Sequence, residues 1–82
     1  MTDSDRVREH AFKTYIEPAR QQGKSTANIV AGDVAKALRL MQRVPLVCGA
    51  LGTLKFQRER SIVLDKRDGP SNSTTTSFTF KV

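Results

Sequence analysis

Apolar residues recur at three- to four-residue spacing along the first part of the chain, which predicts a helix from residue 3 to about residue 22. Pro18 lacks a backbone N–H and disfavours helix at the residue before it, so we expect a kink or break there. Gly23 is the expected end of the helix. The buried stripe of this helix is formed by Val7, Ala11, Phe12, Tyr15, Ile16 and Ala19.

The same spacing predicts two further helices in the middle of the chain. One runs from Asp33 to about Leu40, with a buried stripe of Val34, Ala37, Leu38 and Met41. After a turn at residues 40–43, the other runs from about Val44 to Leu54, where Pro45 occupies the first turn. Its predicted core face carries Val44, Val47, Cys48, Leu51 and Leu54, and its predicted outer face carries Leu46, Gly49, Ala50 and Thr53.

Three segments are typical of strands. Residues 25–30 are rich in Thr, Ile and Val after the first helix. Near the end of the chain the apolar spacing becomes two, which predicts strands at residues 61–65 and 74–82, the second with Phe78, Phe80 and Val82 on one side. The Asp68-Gly69-Pro70 segment is a turn signal between them, so we expect a hairpin.

The chain length predicts one small domain covering residues 1–82, and the predicted helices and strands make it α+β. The longest nearly apolar run, Val44 to Leu54, is much shorter than the ~20 residues of a membrane span, so no membrane association is expected. The first ten residues lack the apolar region of a secretory signal. Because Cys48 is the only cysteine, no internal disulfide can form, and we expect a cytoplasmic protein.

Charge is distributed unevenly. The net charge is +6, yet residues 1–20 hold four cations and four anions, so the whole excess follows the first helix. Residues 36–60 hold six cations against Glu59 alone. A local excess of this kind is the electrostatic footprint of a nucleic-acid-binding protein.

The order of elements, α-β-α-α-β-β, resembles that of the winged helix-turn-helix family across nearly the whole chain. The resemblance is carried by the GDVAKAL segment at residues 32–38, the VPLVCGAL segment at residues 44–51 and the terminal hairpin around Lys66-Arg67-Asp68-Gly69. It implies a three-helix domain with a C-terminal hairpin wing. It also implies that residues 43–55 enter the DNA major groove and that residues 65–73 touch the neighbouring backbone.

The outer face of the third predicted helix offers no side chain that can form a bidentate pair with a base. Only Gln42, Arg43 and Lys55, at its two ends, could reach base edges. We therefore expect binding of double-stranded DNA with low sequence specificity, as in a nucleoid-associated or chromatin-like protein, or in a transcription regulator if two copies combine. The predicted contacts are Lys36, Arg39, Gln42, Arg43, Leu46, Ala50, Thr53, Lys55, Arg58, Arg60, Lys66 and Arg67.

An alternative hypothesis assigns the same surface to protein binding. Leu46 and Ala50, beside two glycines, would form a small apolar patch that binds a protein partner or a second copy of the chain. The surrounding cations would then be a solvated rim.

No pattern indicates catalysis or a bound small molecule. The sequence has no Cys/His cluster, no phosphate loop and no GxSxG motif, so we expect a non-enzyme without metal or cofactor. Cys48, on an apolar stripe, is expected to be a core residue, and His10 a residue of the helix surface.

Overall fold

The computed structural model describes residues 2–70 and 73–82, and it confirms an α+β fold. A three-stranded antiparallel sheet packs against helices on one side. The elements in chain order are α1 (Asp3–Ala11), a π-helical turn (Phe12–Ile16), α2 (Glu17–Gln21), β1 (Thr26–Val30), α3 (Ala31–Leu38), a 3₁₀ turn (Met41–Arg43), α4 (Val44–Leu51), α5 (Leu54–Arg60), β2 (Val63–Asp68) and β3 (Ser77–Lys81).

The first predicted helix is confirmed, but Pro18 widens it and does not break it. The Glu17 N–H donates to the Phe12 carbonyl, five residues back, so the chain adds one π-helical turn just before the proline and continues as α2. The Thr2 side chain caps the start, accepting from the Asp5 N–H. Gly23 ends the helix as predicted, with a φ of +72° that favours glycine.

The sheet places β3 between β1 and β2, with both neighbours antiparallel to it. The predicted hairpin is therefore confirmed, although β2 begins at Val63 and runs to Asp68. Ile29, Phe78 and Phe80 point to the helical side, where they are fully buried. The opposite side of the sheet is covered by no helix of the described residues.

The core lies between that side of the sheet and the helices. Helix α4 packs against both α1 and α3 and buries Val47, Cys48 and Leu51. Two predictions for the stripe of α3 were wrong: Ala37 is exposed, and Met41 is 51% exposed, whereas Ala35 is fully buried. Ala31, Val34 and Ala35 form the buried stripe, which places Ala37 on the outer face. Met41 lies outside the stripe because α3 ends at Leu38 with Arg39 in the left-handed conformation (φ 59°).

The third predicted helix ends three residues early, and a separate helix follows it. Helix α4 stops at Leu51, and Thr53 caps α5 by accepting from the Phe56 N–H at 3.2 Å. The break changes which residues face inward: Leu54, predicted in the core, is 63% exposed, and Phe56 is fully buried in its place. Ala50, predicted on the outer face, is only 3% exposed.

The loop before β3 is tied to the beginning of α3. The N–H groups of Ala31 and Gly32 donate to the carbonyls of Thr76 and Thr74, each at 2.9 Å. A Cβ at Gly32 would lie 2.5 Å from the Thr74 carbonyl oxygen, so only glycine allows this approach. The loop carbonyls thereby satisfy N–H groups that have no partner inside the helix.

Candidate nucleic-acid interface

Four of the predicted cationic contacts are exposed and make no ion pair with any carboxylate of residues 2–70 and 73–82. They come from three different elements and from the residue after α3: Lys36, Arg39, Arg58 and Arg67. An exposed cation without a carboxylate partner can bind a phosphate without first breaking an ion pair.

Three other predicted contacts already have a carboxylate partner. Arg43 lies 3.1 Å from Asp3, Lys55 lies 3.8 Å from Glu59, and Lys66 lies 3.5 Å from Asp68. All three cationic side chains are at least 60% exposed, so these are surface pairs of small energy. Each cation therefore remains accessible to a phosphate, at the expense of a weak pair.

Arg60 is engaged inside the protein. Its guanidinium lies 4.2 Å from the centre of the Phe12 ring, and its Nε is buried without a partner in the described part of the chain. Arg20 joins this cluster by donating to the carbonyls of Arg60 and Ser61. Since these contacts hold the end of α5 against the first helix, the Arg60 side chain is already engaged within the protein.

Lys66 and Arg67 lie within strand β2, which extends past the predicted strand end at residue 65. They pair in register with Thr79 and Phe78. The Arg67 guanidinium lies 5.0 Å from the centre of the Phe78 ring, and one of its nitrogens lies 4.0 Å from the position of a Cβ at Gly52. Arg67 is thus held beside the end of α4. Of the predicted wing, residues 65–73, Ser71 and Asn72 lie outside the described residues.

The exposed surface of α4 is small and offers few polar groups. Pro45 and Gly49 are exposed, Leu46 is half-buried against the core, and a Cβ at Gly49 would meet nothing within 4 Å. Ala50 must be removed from the predicted contacts because it is buried in the core. The prediction that Leu46 and Ala50 together form an exposed apolar patch is therefore wrong, because Ala50 is buried.

Two predicted polar contacts have different local roles. Gln42 is exposed in the 3₁₀ turn that precedes α4, and no side-chain hydrogen bond holds it among the described residues. Thr53 is committed to the junction between α4 and α5, since its hydroxyl donates to the Ala50 carbonyl at 2.9 Å and accepts from the Phe56 N–H. Gln42 is free to reach a ligand, whereas Thr53 acts mainly as a cap.

Acidic groups at the start of α1 border the cationic ones. The Arg8 guanidinium, 2.6 Å from Asp5, together with hydrogen bonds from Thr2, lowers the pKa of Asp5 to about 2. Asp5 is therefore ionised at neutral pH, and the positive charge of Lys55 contributes to the same lowering. Sequence reasoning missed that Asp3 and Asp5 lie beside the cations, because the two regions are about 40 residues apart in the chain.

Cys48 is a core residue, as predicted. It is fully buried, and its thiol points to the Ser73 carbonyl at 3.8 Å. Burial raises the pKa of this thiol, which keeps it protonated and unreactive at neutral pH.

No group of three or more potential metal-binding side chains occurs in residues 2–70 and 73–82. In the same ranges, no helix has both the length and the apolar character needed to cross a bilayer.

Comparison with known proteins identifies no relative. The chain matches no protein family, no curated protein and no solved structure.

Proposed function

We propose that this protein is a winged helix-turn-helix domain that binds double-stranded DNA with low sequence specificity. It would serve as a nucleoid-associated, chromatin-like or transcription-regulatory protein in the cytoplasm. The proposal assigns α3 and α4 to the helix-turn-helix and the β2–β3 hairpin to the wing.

The observation that carries this proposal is the placement of cations around α4. Arg43 immediately precedes the helix, and Arg67 is held beside its last turn. An eight-residue helix is about 12 Å long, which is close to the width of the B-DNA major groove. Cations at the two ends of α4 are therefore spaced to contact phosphates on opposite sides of that groove.

The surface between those ends supports low specificity. Pro45, Leu46 and Gly49 present no hydrogen-bonding side chain, so α4 can approach base edges without distinguishing them. Gln42 is the exposed polar side chain nearest to the start of α4 that could pair with adenine. One such contact gives about 1–3 kcal/mol of discrimination, too little for a stringent site in a monomer.

Fluorescence anisotropy with two unrelated duplexes of equal length and one single strand tests the proposal. We expect similar affinity for both duplexes and weaker binding to the single strand, because the contacts are to the phosphates of a groove. Arg58→Gln should weaken binding to both duplexes equally, by about two- to fivefold, since one phosphate contact is lost.

Lys24→Gln is the matched control. Lys24 is exposed and lies well before α4 in the sequence, and its substitution changes the net charge by the same amount. An equal loss of affinity in both variants would show that only total charge matters. The absence of duplex binding at low salt would overturn the proposal and direct attention to a protein partner. The exposed apolar side chains Met41 and Leu54 would then be the place to look.

A further inference from the structure

The two edges of the sheet differ sharply in character. Strand β2 carries four consecutive charged residues, Asp65 to Asp68, and its pairing with β3 is interrupted between Leu64 and Lys66. Charges and irregularities of this kind prevent an edge from pairing with another strand. Strand β1, at the other edge, has neither feature: no charged side chain occurs from Ser25 to Gly32, and its pairing with β3 is regular over all five residues.

The hydrogen-bonding pattern shows which groups of β1 face outward. The Val82 N–H donates to the Ser25 carbonyl and the Ala31 N–H donates to the Thr76 carbonyl, so the odd-numbered residues of β1 bond to β3. In an antiparallel pair the intervening residues point the opposite way. The N–H and C=O groups of Thr26 and Asn28 are therefore directed away from the sheet, along its open edge.

We propose that β1 pairs antiparallel with β1 of a second copy of this chain, which joins the two sheets into one six-stranded sheet. In a two-fold register, Thr26 pairs with Asn28 of the second copy, and this uses all the outward N–H and C=O groups of both residues. Ala27 then lies on the two-fold axis as a non-hydrogen-bonded pair, where Cα atoms approach to about 4.5 Å. A methyl side chain is small enough for that position.

The symmetric placement of the outward groups favours a second copy as the occupant of this edge, because Thr26 and Asn28 flank Ala27 and each can pair with the other in the second copy. With a net charge of +6, two copies repel each other wherever their cationic surfaces meet. The segment from Ser25 to Gly32 offers an approach without charged side chains on either copy. A symmetric interface of this type is self-complementary and closes after two subunits.

The helical side of the edge also leaves room for such pairing. A cleft of about 350 Å³ runs between the first helix and β1, lined by Tyr15, Pro18 and Ala19 on one side and by Thr26, Ala27 and Asn28 on the other. Lys24, which precedes the uncharged segment, also lines this cleft. Because both copies place their helices on the same side of a joined sheet, the two clefts would meet at the axis. Tyr15 and Pro18, both half-buried in one chain, would lose more solvent contact there.

Sedimentation equilibrium without DNA tests this inference directly, and its result is independent of the proposed DNA binding. We expect the mass to rise from 9.1 kDa towards twice that value as the concentration approaches about 1 mM. Amide hydrogen exchange in the same samples should slow at Thr26 and Asn28 with concentration. A mass of 9.1 kDa throughout, with exchange rates independent of concentration, would overturn the inference.

Two lysine substitutions separate the edge from the total charge. Thr26→Lys places like charges close to the proposed axis, and Val63→Lys adds the same charge to the exposed start of β2. We expect Thr26→Lys to raise the dimer dissociation constant at least tenfold and Val63→Lys to change it less than twofold. Equal effects of both would contradict pairing through β1. If Thr26→Lys does not fold, the wild-type exchange experiment decides the question alone.

Discussion

At the scale of single residues, the cations of the proposed interface differ in whether they already pair with a carboxylate. Arg58 and Arg39 have no carboxylate partner among the described residues, whereas Arg43 shares Asp3 with Arg6. Asp3 lies 3.1 Å from Arg43 and 3.2 Å from Arg6. A phosphate that binds Arg43 must therefore compete with this carboxylate, which weakens the contact in the wild-type protein.

Removing the competing carboxylate should strengthen DNA binding. Asp3→Asn leaves Arg43 without its partner, and an exposed pair of this kind contributes at most about 1 kcal/mol, so we expect a two- to fivefold gain in duplex affinity. The measurement is anisotropy titration of one duplex at fixed salt. Glu17→Gln, which removes an exposed carboxylate of the same helical segment, is the control for net charge and should give a smaller gain. An unchanged affinity for Asp3→Asn would place Arg43 outside the interface.

At the scale of elements, Gly32 of α3 and Gly49 of α4 differ in what a side chain at their position would contact. Gly32 is needed where α3 begins, since a Cβ there would lie 2.5 Å from the Thr74 carbonyl oxygen. Gly49 has open space around its Cβ position, although glycine weakens a helix by about 1 kcal/mol relative to alanine. No packing contact of the described residues requires Gly49, which is consistent with a role on the outer surface of α4.

The paired substitutions Gly32→Ala and Gly49→Ala should change stability in opposite directions. We expect Gly49→Ala to raise the free energy of unfolding by about 1 kcal/mol through helix propensity. Gly32→Ala should lower it by about 1–3 kcal/mol, because the loop before β3 must move. Urea unfolding monitored by circular dichroism measures both. A destabilised Gly49→Ala variant would mean that α4 makes contacts on that side which the structure does not contain.

The helices were predictable from the chain where their apolar spacing is long and regular, as in the first helix with Val7, Ala11 and Ile16. The spacing failed at the junction of α4 and α5, because Leu54 continues the stripe of α4 in sequence although the helix has already ended at Leu51. The capping role of Thr53 was the available signal for a new helix. Helix α5 itself has one core residue, Phe56, so its pattern is too weak to be recognised.

The candidate site was predictable only in its composition. The list of cations followed from the sequence, but their partners did not, since Asp3 meets Arg43 and Phe12 meets Arg60 only in the folded chain. The pairing of β1 with β3 joins segments about 50 residues apart, and no local pattern specifies such a contact.

At the scale of the whole molecule, the excess charge and the small core have separate consequences. The core packs one side of a three-stranded sheet against the helices, while the predicted DNA-contacting cations lie on α3, α5 and β2 and in the segment between α3 and α4. Four of them, Lys36, Arg39, Arg58 and Arg67, are available to phosphates without breaking an ion pair of the described residues. Together with Arg43, they would set the salt dependence of the proposed DNA binding.

Each phosphate neutralised contributes about −0.9 to the slope of log K against log salt concentration. If these four cations and Arg43 reach phosphates of one duplex, the slope should be about −4.5. Anisotropy titrations over a range of salt concentrations measure it, and Arg58→Gln should make it less steep by about one unit while Lys24→Gln leaves it unchanged. A slope near −1 would mean that these cations do not share one DNA-facing surface, and binding would then arise from the net charge alone.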